Sequence, residues 1–136
     1  MYFIINGIPK PLKRHRHTRN GRTYDPSKKD KQDLLYQVMQ FAPKEPSAAP
    51  LRIIIVFYMP RPKYHFRTGK FKHLLKPNQP IQHSKIPDLD NLVKFVCDAL
   101  NGVFYKDDSQ ISQLKAEKLY TDVGEKPRTE VHIEQI

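Results

Sequence analysis

The residues best placed to do chemistry lie in one stretch, "IPDLDNLVKFVCDALNGVFYKDDSQI" (86–111), which holds Asp88 and Asp90, Lys94, and the pair Asp107–Asp108. Two carboxylates this close repel each other, and keeping both ionised calls for a cation. A hard divalent ion such as Mg2+ takes carboxylate oxygens, keeps several of its waters, and often uses only one or two protein carboxylates together with substrate phosphates. The pattern therefore suits a phosphodiester site. Lys94 follows Asp90 by four residues and returns over nearly the same helix face, where its ammonium can contact a scissile phosphate or orient the attacking water.

The elements that carry these residues decide whether they meet. Acids two apart share a face in an extended segment and point about 200° apart on a helix. Pro87 restricts only Ile86, and the apolar periodicity can be read from Leu92. Asp88 and Asp90 are thus expected side by side at the end of an extended segment, with a helix starting at Asp90 or Asn91 and Asp90 as its N-cap. Leu92, Val93, Val96, Leu100 and Val103 form the apolar side of that helix, and Asn101-Gly102 its C-terminal cap. Asp108 supplies a third carboxylate if the following turn folds back to the helix start, roughly 15 Å away, which "GVFYK" in extended form can span. Structural uses of the same residues stay open: Asp90 as a cap only, Asp90/Lys94 as an ordinary ion pair, Asp107–Asp108 as turn residues. Asp98 fits the polar face of the helix and takes a structural role.

The flanking elements follow from periodicity. "YFIING" (2–7) predicts a first strand. In "DPSKKDKQDLLYQVMQFAP" the spacing predicts a helix in which Asp25 caps, Pro26 takes the first helical position, Leu34, Leu35, Val38 and Phe41 or Ala42 face inward, and Pro43 ends the run. "PKEPSAAP" (43–50) is a proline-rich connector. "LRIIIVFYM" (51–59) is expected as a central strand buried on both faces. "ISQLKAEKLY" (111–120) is compatible with helix or strand. "RTEVHIEQI" (128–136) reads as a final strand with Thr129, Val131 and Ile133 facing one way. Without any internal repeat, the 136 residues fit a single small domain, 1–136, of the α/β (α+β-like) class, with a mixed β-sheet of about four to five strands packed with two main helices.

Charge identifies the class of partner. Lys and Arg outnumber Asp and Glu by 24 to 14, a formal charge of +10, which is the footprint of a polyanion binder. A membrane is the competing polyanion. The chain lacks an apolar run near the roughly 18 residues needed to span, a signal-like N-terminus, and a basic amphipathic helix, so a soluble cytoplasmic protein is expected. The single cysteine, Cys97, precludes an internal disulfide and sits in an apolar helical run, where a buried side chain is expected rather than a nucleophile. No phosphate-binding GxxxxGK[ST] loop, GxSxG elbow or Asp/Glu-x-Lys tripeptide occurs, and the last absence argues against the common restriction-type nuclease core. His65, His73 and His83 stand at no zinc-like spacing. His15 and His17 flank Arg16 in a cationic segment and suit phosphate contact better than a metal.

The cations concentrate in two places. A basic arm (10–24) opens the Lys/Arg/His-rich run from Lys10 to Lys31, whose only acids are Asp25 and Asp30. A long proline-rich loop (60–87) carries seven Lys or Arg and no acid; a loop of that length in a compact domain is usually functional or partly disordered. Lys10, Lys13, Arg14, Arg16, Arg19 and Arg22 in the arm, and Arg61, Lys63, Arg67, Lys70 and Lys72 in the loop, are the candidate nucleic-acid contacts. Tyr24, Tyr64, Phe66 and Phe71 lie among them, suited to stacking on exposed bases.

The stretch "PDLDNLVKFVCDALNGVFYKDDSQI" closely resembles the signature of the RusA-type crossover (Holliday) junction endodeoxyribonucleases, found in bacteria and very often in phages or prophages. The pattern D-x-D-N-x-x-K, then D-A-L, then D-D-x-Q is matched throughout, and the order of strand, basic arm with "GRTY", helix, strand, signature and final strands matches over nearly the whole length. The resemblance implies that Asp88, Asp90 and Asp108 bind Mg2+, with Mn2+ as an alternative ion, and that Lys94 is the catalytic lysine. It implies a homodimer of mixed α/β fold that cuts two strands of a four-way DNA junction symmetrically in recombination and repair, leaving ends that ligase can seal. Compact members have a short basic turn before D-x-D; residues 60–87 are a departure in how the junction is bound. The runners-up are a metal-dependent nuclease for other branched DNA and a non-catalytic basic nucleic-acid-binding module.

Overall fold

The computed structural model describes residues 1–14 and 16–136, Arg16 by its backbone alone. Its elements in chain order are β1 (Tyr2–Asn6), β2 (Arg16–His17), β3 (Thr23–Tyr24), α1 (Lys28–Val38), β4 (Leu51–Met59), α2 (Leu89–Leu100), β5 (Ile111–Tyr120) and β6 (Arg128–Gln135). The long strands form one four-stranded sheet in the order β1-β6-β4-β5, and β2 and β3 form a separate small hairpin. β6 runs antiparallel to β1 and β4, whereas β5 is parallel to β4. A parallel pair needs a long crossover. Here loop 60–87 and α2 supply it, so the acid-rich stretch belongs to the connection between two neighbouring strands.

β4 is the central strand, but its two faces differ. Leu51, Ile53, Ile55, Phe57 and Met59 are buried, while the alternate residues are only half-buried. The expectation of burial on both faces therefore fails, because both helices share the inner face with this row. The opposite face is closed by side-chain pairs: Arg52 to Glu134 (2.7 Å), Arg128 to Glu130 (2.7 Å) and Glu125 (3.1 Å), with the Arg128 guanidinium 3.8 Å from the Tyr58 ring centroid. β6 alternates as expected, with Thr129, Val131 and Ile133 on the inner face. On that face Ile53, Ile55 and Val131 are 0% exposed; each such side chain contributes roughly 1.5–3 kcal/mol by leaving water.

The ambiguous segment 111–120 is strand β5. Its residues are exposed or half-buried up to Tyr120 because it is the edge of the sheet, and pairing with β4 overrides its weak local preference. In α1 the first helical residue is Lys28, two positions later than Asp25-Pro26 suggested. Asp25 still acts as a cap of the preceding turn, its Oδ1 accepting from Ser27 N–H at 2.9 Å, while its Oδ2 accepts from Lys31 at 2.7 Å. Among the described residues, no helix is long and apolar enough to cross a membrane.

Candidate active site

α2 is buried along Leu92, Val93, Phe95, Val96, Cys97, Ala99 and Leu100, which leaves one narrow polar stripe: Asp90, Asn91 and Lys94 are exposed and Asp98 is half-buried. The helix starts earlier than the spacing suggested. Asp88 is its N-cap, in extended geometry (φ −68°, ψ 141°), and its carbonyl accepts from Leu92 N–H at 3.2 Å. Asp90 lies in the first turn and is no cap. Helix N-termini favour acids electrostatically, which makes Asp90 welcome there. The two carboxylates are therefore divided between the cap and the first turn, on the same N-terminal rim of α2.

Among the described residues neither acid makes an ion pair. Asp88 makes no capping hydrogen bond, and Asp90 Oδ1 accepts from Asn91 N–H at 2.9 Å. Among the described residues no ion pair joins Asp90 to Lys94, so the ordinary i,i+4 pairing is not formed. Asp98 faces Lys31 instead, at 3.8 Å, tying α2 to α1. Cys97 is buried as expected, and burial pushes its thiol up to about 11, far from a nucleophile's range.

The second acid pair stands at the other end of the helix. Gly102, at φ +81°, ends α2, and its N–H donates to the Tyr105 carbonyl at 2.8 Å. This tight turn, with the buried Tyr105 hydroxyl donating to the Cys97 carbonyl at 2.6 Å, keeps 102–106 compact. The extended return toward the helix start does not occur. Lys106 N–H donates to the Ser47 carbonyl and Ile111 pairs with Leu51, so the Asp107–Asp108 turn sits at the opposite end of the sheet from Asp88. The 12-residue helix between them is about 18 Å long.

The members of this pair have different surroundings. Asp107 forms a capping box with Gln110: its side chain accepts from Ser109 N–H (3.3 Å), and Gln110 Oε1 accepts from Asp107 N–H (2.8 Å). The Ser109 hydrogen bonds hold the Asp107 carboxyl below the usual carboxylate range. Gln110 Nε2 also donates to the Ser47 and Ala49 carbonyls, which fastens the turn to the 43–50 connector. Asp108 is exposed, and its side chain makes no hydrogen bond among the described residues. The D-x-x-Q spacing of a capping box was present in "DDSQ" and carries the roles of Asp107 and Gln110.

Loop 60–87 is folded rather than loose. Two short 3-10 turns, Lys63–His65 and Gly69–Phe71, are followed by a strap whose Ile81 carbonyl accepts from Tyr120 N–H (2.8 Å) and whose His83 N–H donates to the Lys118 carbonyl (2.9 Å). His65 is buried, and its ring meets Tyr120 edge-on at 4.8 Å; His83 lies 4.7 Å from the same ring. Burial, then the charges of Arg61 and Lys76, lower the His65 pKa; burial and Lys118 lower that of His83. Arg61 donates to the Thr121 (2.7 Å) and Pro80 (2.9 Å) carbonyls, so its guanidinium ties the loop together. Lys63, Arg67, Lys70 and Lys72 are exposed. Lys118 Nζ donates to the Lys85 and Pro87 carbonyls (2.5 and 2.7 Å), anchoring the chain directly before Asp88. Nothing in local sequence marks Lys118; its role arises only once β5 pairs parallel to β4.

The arm is the β2–β3 hairpin with its lead-in. Lys10, Lys13, Arg14, Arg19 and Arg22 are exposed; Lys10 pairs with Asp30 at 2.9 Å, the Arg16 side chain lies outside the described residues, and so does His15. Leu12 N–H donates to the Asn91 carbonyl (3.1 Å) and Lys13 N–H to Ser27 Oγ (2.9 Å), which seats the arm against the start of α2. The arm and the loop together hold 13 of the 24 Lys and Arg and no acid, so the rest of the chain has fewer cations than its 14 acids.

Asp88 and Asp90 fit a hard divalent ion as an all-oxygen, accessible pair. Among the described residues no three His, Cys, Asp or Glu side chains gather closely enough to hold a metal. Two carboxylates are nonetheless the number Mg2+ commonly uses when phosphates complete its shell.

The chain is 36% identical over 144 aligned positions to "Uncharacterized protein YqaN" of Bacillus subtilis (strain 168), covering 98% of this chain and 95% of that one. The profile of the family described as "Endodeoxyribonuclease RusA" matches residues 6–134, which includes the arm, both helices, β4, β5, nearly all of β6 and every candidate carboxylate. The chain belongs to the RusA endodeoxyribonuclease family.

Proposed function

We propose that this protein is a Holliday junction resolvase: a Mg2+-dependent endonuclease, with Mn2+ as the alternative ion, that makes paired symmetric nicks in four-way DNA junctions. It would act as a homodimer in recombination and repair, in the cytoplasm of a bacterium and encoded by the host or a prophage. The observation that carries the reading is the exposed pair Asp88/Asp90 on the rim of α2, without an ion pair among the described residues, with Lys94 exposed one turn on and the cationic arm seated against the same helix end.

Asp88 and Asp90 would hold the ion. When bound, it supplies charge neutralisation at the phosphate and a water of lowered pKa. Lys94 places an ammonium on the exposed stripe, where it can stabilise negative charge developing on the phosphate or orient the attacking water. The arm and loop cations bind flanking phosphates and set register without reading sequence. Asp108, at the far end of α2 within one chain, serves the site if a second copy brings it there: the partner subunit's Asp108 would complete the carboxylate set, and each dimer would hold two equivalent sites. A two-fold dimer suits a nearly two-fold junction.

The test is cleavage of a synthetic four-way junction against a linear duplex, in Mg2+ or in EDTA, with Asp90→Asn alongside. Paired symmetric nicks in the junction alone, lost in EDTA and in the variant while junction binding survives, are expected. Equal cutting of linear duplex would support a general nuclease, and absence of metal-dependent cutting would leave only a binding module. A second reading, the same chemistry on flapped or otherwise branched DNA, draws support from the folded loop 60–87 where compact members have a short turn; a flap substrate in the same assay separates the two.

A further inference from the structure

We infer that Ile86 is an apolar wedge that enters the base stack at the branch point, with the groove beside it receiving the displaced base. This rests on the proposed action on branched DNA and adds a specificity-determining residue to it. Ile86 is 85% exposed, an unusual state for a β-branched apolar side chain that is not on a loose tip. The residues on either side of it are held, since Lys118 Nζ donates to the carbonyls of both Lys85 and Pro87. The strap before it is hydrogen-bonded to β5 at Ile81 and His83. An exposed isoleucine on a fixed backbone is presented rather than left over.

Its surroundings point to a base as the occupant. Ile86 borders a shallow groove lined by Ile8, Pro9, Pro11, Met59 and Pro87, and Ile8 is itself 58% exposed. The groove has an apolar floor, and exposed cations adjoin its lining residues in the chain: Lys10, paired with Asp30, between Pro9 and Pro11, Lys13 and Arg14 just beyond, and Lys85 directly before Ile86. An apolar slot between cations matches a nucleotide, whose base is apolar in face and whose phosphates are anionic. Position fits as well. Ile86 precedes Asp88 by two residues, at most about 7 Å of chain, close to the span of two nucleotide steps at about 3.4 Å each. A wedge there works on the step next to the phosphate that the acids address. Proteins that kink DNA insert such side chains, Ile included, and unstacking is least costly where stacking is already interrupted, as at a branch.

The experiment uses the full chain and a four-way junction with 2-aminopurine at the crossover, bound in EDTA so that no cutting intervenes. Wild type and Ile86→Leu are expected to raise the fluorescence on binding, and Ile86→Ser to leave it near that of the free junction. In Mg2+, single-turnover cleavage by Ile86→Ser should fall on the order of tenfold, and should return to the wild-type rate on a junction whose crossover bases are mismatched and already unstacked. Junction affinity should change little, because the cations carry it. If wild type and Ile86→Ser give the same fluorescence change, or mismatches fail to rescue the variant, the wedge is wrong while the nuclease reading stands. If wild type brightens 2-aminopurine but does not cut, the wedge survives and the nuclease reading falls. A wild type that binds no junction overturns both.

Discussion

At the N-terminal end of α2, Asp88 and Asp90 stand exposed with no ion pair among the described residues, in a chain that has cations to spare. At the C-terminal end, Asp107 is spent on a capping box, while Asp108 is exposed and its side chain makes no hydrogen bond among the described residues. Two acid pairs that look alike as text are therefore unlike as chemistry. The first offers two exposed carboxylates at one rim. The second offers one exposed carboxylate and the turn that holds it, about 18 Å away along the 12-residue helix.

The sharpest way to break this comparison is to remove one ligand from each end. Asp88→Asn, Asp90→Asn and Asp108→Asn should each lower junction cutting on the order of 10³-fold with binding retained. Mixing the Asp90→Asn and Asp108→Asn proteins should restore nicking, since in a mixed dimer one site would draw an intact Asp90 and an intact Asp108 from different chains. A mixture as inactive as its components would show that each chain builds its site alone.

A smaller effect is expected from the anchor before the first pair. Lys118→Met releases the Lys85 and Pro87 carbonyls and should lower kcat about tenfold, as loss of a supporting contact does, without changing the salt dependence of binding. A changed salt slope would make Lys118 a phosphate contact instead.

The loop around that anchor also predicts a pH response. The pKa values of His65 and His83 are lowered in the folded chain, so the unfolded chain binds more protons just below the ordinary histidine value of 6.5. Stability should therefore fall as pH drops below about 6.5 and should be fully regained above it. Thermal melts from pH 7.5 to 5 of the wild type and His65→Gln would check this; the variant should show the shallower fall. Smallest of all, Asp107→Ala should loosen the turn and lower Tm slightly while leaving kcat nearly unchanged. A loss as large as that of Asp108→Asn would place Asp107 in the chemistry.

Much of this was legible in the residue string, for identifiable reasons. Alternation of Thr129, Val131 and Ile133 marked β6, and the apolar face from Leu92 to Leu100 marked α2, because both patterns report burial directly. What failed was tertiary. The run Leu51–Met59 looks buried on both faces, yet it cannot reveal that both helices occupy one side, leaving the other to Arg52, Arg128 and their partners. The helix start moved because the first i→i+4 bond, from Leu92 to Asp88, depends on backbone geometry that apolar spacing does not encode. The return of Asp108 failed because Gly102 and Tyr105 close a tight turn where "GVFYK" allows an extended one. Arg61 counted as one more cation in the string, whereas its carbonyl partners make it a tie within the loop.

The concentration of 13 of 24 cations in the arm and the loop has a consequence for encounter with DNA. With the rest of the chain weakly acidic, the molecule is electrically lopsided, and in the field of a phosphate backbone it experiences a torque as well as an attraction. It should arrive already turned, with the arm and the loop leading. Fewer collisions are then wasted on the wrong face, an advantage that appears in the association rate at low salt and fades as ions screen it.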